Sequence, residues 1–280
     1  MTTAIQWTSE TWNPTTGCSK VSAGCKHCYA ERIWKKVYGF RPFTDVQCHP
    51  ERLSQPSKWK APRRIFVDSM SDLFHEKVPT DFIIDVFDAM EGCQRHTFQI
   101  LTKRPERMKA FMDGLGSVLG NERVYFTFES AHAGYIPNNV WLGVSVEDQK
   151  SAEERIPVLL STRAAIRFLS VEPQIAPIDL LAIAPDLHDI HTGNTIDWVI
   201  VGGESGPGAR PFDLRWAYDI VAQCKQAGVP VFIKQLGRKP FFSGGSELAA
   251  QTKLTYKSLG SHGSFIEAWP EDLRIREFPA

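Results

Sequence analysis

The sequence predicts an α/β fold, a partial (β/α)6-type TIM barrel with one extra strand and a tail at its C-terminal end. Three observations lead there. Short, near-continuous apolar runs recur along the chain with helical periodicities between them, the pattern of parallel strands covered on one side by helices. Six or seven such βα units fit an open barrel better than a doubly wound sheet. The chain has 280 residues and 42% hydrophobic content, enough to bury one large core. No internal repeat or composition break marks a second domain. Residues 1–236 are therefore expected as one barrel, and 237–280 as an extension.

Each element has its own signal. A first strand is expected from Ile5 to Asn13, stopped by Pro14 and Gly17. A cysteine-bearing loop follows. Tyr29, Ala30, Ile33, Trp34, Val37 and Tyr38 then recur at helical spacing, and Gly39 ends that helix. Residues 40–64 read as a long basic connection rich in Pro and aromatic residues. The run Arg64 to Asp68 is the second strand, and Thr80 is expected to cap a helix with apolar positions 82, 83, 86, 87 and 90. A third strand runs from Thr97 to Leu101, and Pro105 suits the first turn of the next helix. A Gly-rich loop near 114–121 and a polar one at 129–139 frame a short apolar piece at Val124–Phe128. The fourth strand, Val140 to Val144, precedes a helix reaching about Ser161. The fifth, Ala165 to Leu169, precedes a loop over 185–196. The sixth, Asp197 to Val201, precedes a helix capped by Asp213 and ended by Gly228. Val229 to Ile233 is the seventh, and Trp269 is a candidate anchor for the tail.

Charge narrows the classes of function. Net charge is zero and the pI is near 7.1, so no global field draws the chain to nucleic acid or membrane. Locally, residues 26–64 hold ten Lys or Arg against three acids. Two readings stand: a solvated helix face and loop, or a phosphate-contacting rim with Trp34, Tyr38, Phe40, Phe43 and Trp59 interleaved for stacking. The start of the chain has no basic segment leading into an apolar core, and no apolar run approaches bilayer length. A cytoplasmic chain without a membrane partner is expected. Cys48, Cys93 and Cys224 are scattered and read as reduced structural thiols.

The other three cysteines, Cys18, Cys25 and Cys28, fall within eleven residues. Thiols packed this closely usually hold a metal. No second C-x2-C or H-x3-5-H pair follows to complete a zinc tetrahedron, and three thiolates suit an iron–sulfur cubane with its fourth iron open. Polar residues also gather where each strand runs out: Ser69, Ser71 and Asp72; Thr102, Lys103 and Arg104; Ser145 and Glu147; Glu172; Gly202, Gly203 and Glu204; Lys234 and Gln235. In a parallel barrel that end carries the site. Turn chemistry or a helix cap would explain any one of these groups singly.

A three-Cys loop after the first strand, followed by Tyr29-Ala30 and a helix, resembles the radical S-adenosylmethionine (radical SAM) superfamily. More narrowly, Cys18-x6-Cys25-x2-Cys28, Phe66-Val-Asp-Ser-Met-Ser-Asp72, Leu101-Thr-Lys-Arg104, Leu169-Ser-Val-Glu-Pro173 and Val201-Gly-Gly-Glu-Ser205 are similar to a phage and bacterial family taken as a divergent branch of it. The likeness covers roughly residues 5–236. The chain departs from the superfamily in three respects: the first cysteine gap is six rather than three, His27 replaces the usual aromatic, and no Gly-Gly-Glu follows the second strand.

The resemblance implies a barrel of the radical SAM kind. Cys18, Cys25 and Cys28 would hold a [4Fe–4S] cluster, and SAM would chelate the fourth iron. His27, Tyr29, Ser69, Ser71, Asp72, Thr102, Lys103, Ser145, Glu147, Glu172, Gly202, Gly203 and Glu204 would line the cofactor. Within that set Ser71 and Asp72 would meet the SAM ammonium, Ser145 and Glu147 the ribose or carboxylate, and Glu172 and Gly202-Gly203 the ribose and adenine. Arg104, Lys234 and Gln235 would face substrate, with SAM carboxylate the alternative for the cations. An external electron donor of the flavodoxin or ferredoxin type is implied, and the basic segment suggests a nucleic-acid base or nucleotide as substrate. Two other readings stay open: a zinc-binding nucleic-acid module closed by His27, Cys48 or His49, and a barrel that keeps the cluster but has lost SAM.

Overall fold

The structure is a computed structural model that describes residues 3, 5–37, 39–114, 137–189, 193–243 and 263–279. Its main sheet has seven strands: β1 (Glu10–Trp12), β2 (Arg64–Val67), β3 (Thr97–Thr102), β4 (Val140–Ser145), β5 (Ile166–Val171), β6 (Trp198–Gly202) and β7 (Val231–Gln235). Sheet order follows chain order, with parallel pairing along β1–β4 and along β5–β7. The helices are α1 (Tyr29–Val37), α2 (Thr80–Glu91), α3 (Pro105–Gly114), α4 (Gln149–Leu160), α5 (Leu180–Ile183) and α6 (Leu214–Ala227). This is the expected α/β alternation. Tyr38, the piece at Val124–Phe128 and the tail over 244–262 lie outside the described residues.

The chain divides into two compact units: Met1–Lys20 with Ala30–Val144 and Val158–Arg167, and Val21–Tyr29 with Ser145–Pro157 and Phe168–Ala280. In the first unit, parallel register aligns Ile65 with Phe98 and Val140, and Val67 with Ile100 and Leu142. Side chains in register share a sheet face, and this one is buried. Helix α2 buries Phe82, Ile83, Val86, Phe87 and Met90, and Phe87 meets Phe111 of α3 with ring centroids 4.9 Å apart. Each such side chain contributes about 1.5–3 kcal/mol of burial. Several boundaries differ from expectation by a residue or two, and two differ for an identifiable reason. Strand β1 begins only at Glu10, because Thr8 N–H turns back to the Ile5 carbonyl and the Thr8 hydroxyl bonds the Arg64 carbonyl. Thr80 is the first helical residue of α2; Pro79 occupies the cap position, without a side-chain hydrogen bond.

In the second unit, α6 starts as its sequence says, with the Asp213 carboxylate accepting from Arg215 N–H. It ends at Gly228, whose φ of 69° is open to glycine without strain. The region expected as a loop over 185–196 forms a short pairing of His188–Asp189 with Asn194–Thr195. The chain end returns to β7: Ile233 N–H donates to Ile275 O and Glu277 N–H to Val231 O, both at 2.9 Å. Trp269 is buried, with Nε1 donating to Gly263 O. The Arg276 guanidinium lies over the Phe232 and Trp269 rings at 5.5 and 5.8 Å. Among the described residues no helix is long and apolar enough to cross a membrane.

Candidate functional site

The first unit builds one polar cluster from the ends of β2 and β3. Strand β2 stops at Val67, and Asp68 turns the chain at a φ of 59°, left-handed backbone that Asp tolerates better than most residues. The Asp68 carboxylate is fully buried and accepts Thr15 N–H and the Thr15 hydroxyl, both at 2.9 Å. Burial pushes its pKa up to about 7 against those two hydrogen bonds, and the Asp72 charge adds to the rise. Ser69 donates to Asn13 Oδ1, and Ser71 pairs closely with the Thr15 hydroxyl.

Asp72 is the centre of this cluster. Its Oδ1 accepts Phe74 N–H at 3.0 Å and the Thr102 hydroxyl at 2.7 Å. Its Oδ2 accepts Lys103 N–H at 3.2 Å and an Arg104 Nη1–H at 2.9 Å. Four donors fill what a carboxylate can accept. Arg104 is thereby aimed: Nη1 also lies 3.8 Å from Cys18 Sγ, Nη2 donates to Ser19 Oγ and Ser19 O, and Nε donates to Glu76. Burial opposes the Arg104 charge, and Asp72 with Cys18 outweighs it, leaving the group above its ordinary value. His75, buried beneath, receives Lys77 N–H on Nδ1, so its proton sits on Nε2, 2.9 Å from Ser19 Oγ. Burial, then the Arg104 charge, holds that imidazole below its usual pKa and neutral.

The second unit works on the cysteine loop's backbone. Ala23–Cys25 forms one tight turn, and Cys28 immediately precedes α1. Glu147, fully buried, accepts Gly24 N–H at 3.1 Å on Oε1 and the Arg155 guanidinium at 3.0 Å on Oε2. A Cβ on Gly24 would meet the Glu147 carboxyl carbon at 3.0 Å, so glycine is what permits this approach. Glu204 grips Arg210 through three hydrogen bonds of 2.8–3.0 Å, and Arg210 Nη1 donates to Ala23 O at 2.9 Å. Burial raises the Glu204 pKa, but Arg210 overcomes this and His27 assists, so the carboxylate lies below its usual value. The His27 ring is 3.6 Å from where a Cβ on Gly208 would stand.

A further cluster forms at the ends of β5, β6 and β7. Lys234 Nζ bonds both Glu172 oxygens at 2.7 and 2.8 Å, and Gln235 donates to Glu172 and to Gly203 O. Ser145 donates to Glu172 O, and a Cβ on Gly202 would press on the Glu172 side chain at 3.2 Å. This ion pair keeps about a sixth of each side chain open to solvent, unlike Glu147–Arg155. A cleft of about 210 Å³ beside Ser22, Ala23, Glu147 and Arg155 is smaller than the pockets that enclose drug-sized ligands.

The structure thus joins Asp72, Thr102, Lys103 and Arg104 around Cys18, and Ser145, Glu172, Gly202, Gly203, Lys234 and Gln235 around one ion pair. Glu147 and Glu204 belong to loop anchoring, Glu147 directly and Glu204 through Arg210, and each is paired with an arginine the sequence did not point to. Arg155 and Arg210 carry no local motif, since their partners lie eight and six residues away across turns. Tyr29 is exposed. The aromatic residues of the basic segment are mostly inward. Trp34 is buried against Phe43, with its Nε1 on Arg41 O, and Trp59 packs on His96 and Arg63; among the described residues of that interleaved set Phe40, at 82% exposure, is the exception.

None of the six cysteines forms a disulfide. Cys18, Cys25 and Cys28 are partly exposed, whereas Cys93 and Cys224 are buried, and burial pushes the Cys224 thiol up to about 12. Burial also raises Cys48, and His49 Nε2 is engaged by Thr16 Oγ1 at 2.7 Å. Exposure sets Cys18, Cys25 and Cys28 apart from Cys93 and Cys224 but not from Cys48, which is also partly exposed; the clustering of the three within eleven residues is what favours them as soft metal ligands. As they stand, no three His, Cys, Asp or Glu among the described residues form a group that could hold a metal ion. The fit rests on donor type and on the anchored loop. A family model described as protein of unknown function (DUF5131) matches residues 2–259. No curated protein and no solved structure matches.

Proposed function

We propose, for a chain that belongs to the DUF5131 family of proteins of unknown function, that it is a radical SAM enzyme whose α/β sheet forms a partial barrel of that kind. Cys18, Cys25 and Cys28 would hold a [4Fe–4S] cluster by their thiolates. With SAM, that cluster would supply one-electron reductive cleavage of the sulfonium C–S bond and so hydrogen-atom abstraction from substrate. The observation that carries the reading is three partly exposed thiols in eleven residues, with the loop backbone at Ala23 and Gly24 fastened by Arg210 and Glu147.

The chain's own residues divide the remaining work. Glu147 and Glu204, each neutralised by an arginine, fix the backbone beside Cys25. Asp72 spends its acceptors inside the protein and acts as a positioning group. The partly open Glu172–Lys234 pair, with Gln235 beside it, is the set of charges left to meet a zwitterionic or hydroxylated ligand. Electrons would come from a flavodoxin- or ferredoxin-type donor. The substrate class proposed is a nucleic-acid base or nucleotide, and it rests on the basic segment 26–64.

Reduction of the reconstituted chain with SAM, without oxygen, should release 5′-deoxyadenosine and methionine, and Cys18→Ser, Cys25→Ser or Cys28→Ser should abolish both. A chain that binds iron yet releases neither would be a barrel that has lost SAM chemistry, and the enzyme reading would fail. For the substrate class, DNA or RNA binding should weaken steeply with salt and fall in Lys58→Ala. Binding that is absent or indifferent to salt points to a different substrate.

A further inference from the structure

We infer that Arg104 is the positioning residue for Cys18: held by Asp72, it donates an N–H to the sulfur and thereby sets the charge density on that one thiol. The inference builds on the proposed role of Cys18 as a cluster ligand and replaces the expectation that Arg104 faces substrate. Its basis is geometric. Nη1 bridges Asp72 Oδ2 at 2.9 Å and Cys18 Sγ at 3.8 Å, the latter within reach of a hydrogen bond to sulfur. Every other nitrogen of the guanidinium is also engaged: Nη2 with Ser19 Oγ at 2.9 Å and Nε with Glu76 at 3.1 Å. The side chain is 11% exposed, so the fork has little freedom to swing elsewhere.

The supports extend outward in two directions. Asp72 is itself fixed by Thr102 and by the backbone N–H groups of Phe74 and Lys103. Ser19 is fixed by Arg104 and by the buried His75. This double bracing is what a group requires if it must hold one angle toward a sulfur. A lysine would keep the charge but lose the fork. Hydrogen bonds to cluster sulfurs raise a cluster's potential by stabilising its reduced, more negative state. Arg104 would therefore favour reduction of the bound cluster.

Two measurements test this. In the full-length metal-free chain at neutral pH, iodoacetamide labelling of each cysteine is followed by mass spectrometry. Arg104→Gln and Asp72→Asn, which release the sulfur from the guanidinium, should change the Cys18 rate about tenfold, the scale of one charge-assisted hydrogen bond, and leave Cys25 and Cys28 unchanged. Arg104→Lys should recover part of the rate. Equal Cys18 rates in wild type and Arg104→Gln would overturn the inference, and so would a uniform change at all three cysteines, which reports general loosening. In the reconstituted chain, Arg104→Gln should move the midpoint potential negative, and an unchanged potential would count against the inference. If the chain takes up no iron at all, the proposed function falls, while the thiol rates still decide this point.

Discussion

The two units treat their cysteines in opposite ways. Around Cys18 the protein addresses the side chain: a carboxylate with every acceptor filled holds a guanidinium against sulfur. Around Cys25 it addresses the main chain: Glu147 takes the Gly24 N–H, and Arg210 takes the Ala23 carbonyl. In one unit the arginine's charge is delivered to the thiol. In the other the charges are spent on shape, each arginine closed on its own glutamate. The same two residue types, Arg and a carboxylate, therefore serve tuning in one place and anchoring in the other.

The comparison breaks first at Glu147. Glu147→Ala strands Arg155, whose side chain is 6% exposed, and removes the Gly24 acceptor. The expected loss is about 3–5 kcal/mol, the usual cost of leaving one partner of a buried pair uncompensated, read as a lower midpoint in denaturant. A change below 1 kcal/mol would mean the anchor is dispensable. Gly24→Ala comes next. Its Cβ must displace a carboxyl group at 3.0 Å, at a cost of about 1–3 kcal/mol, with altered labelling of Cys25 and unaltered labelling of Cys18.

Asp68 sharpens the first unit by pH. Its folded pKa is raised to about 7, whereas the unfolded value is about 4. Between those values the folded chain binds the extra proton, so its contribution is fully present below about pH 4, declines as pH rises toward 7, and is flat above. Asp68→Asn, which also suits a left-handed φ, should remove that slope, and its stability relative to wild type should grow from pH 4 to 7. Parallel curves for the two proteins would show that the carboxyl is not buried as described. The smallest effect is expected at Phe40→Ser. This side chain is 82% exposed, so stability should change by no more than about 0.5 kcal/mol.

Much of the fold was legible. All seven strands and the α6 caps, Asp213 and Gly228, announce themselves through apolar runs and turn chemistry. The strand ends were less so. Strands β5 and β7 continue into Ser170-Val171 and Lys234-Gln235, residues whose polarity suggested the strand had already stopped. Polar side chains on one face do not interrupt the ladder when the backbone is paired. The return of residues 275–277 to β7 left no trace, because so short a segment shows no alternation. In the site, the polar strand ends were visible, but their partners were not: Asp72 reads as a ligand group until Phe74, Thr102, Lys103 and Arg104 are seen to occupy it. Long-range pairs such as Gly24 with Glu147 have no signature in sequence.

Iron stoichiometry tests the central claim most directly. Wild-type chain reconstituted without oxygen should be brown, absorb broadly near 400 nm and carry about four irons per chain, as a cubane requires, and Cys18→Ser, Cys25→Ser and Cys28→Ser should each lose that absorbance while Cys93→Ser keeps it. A colourless chain holding one zinc, or iron uptake indifferent to those three serines, would contradict the account.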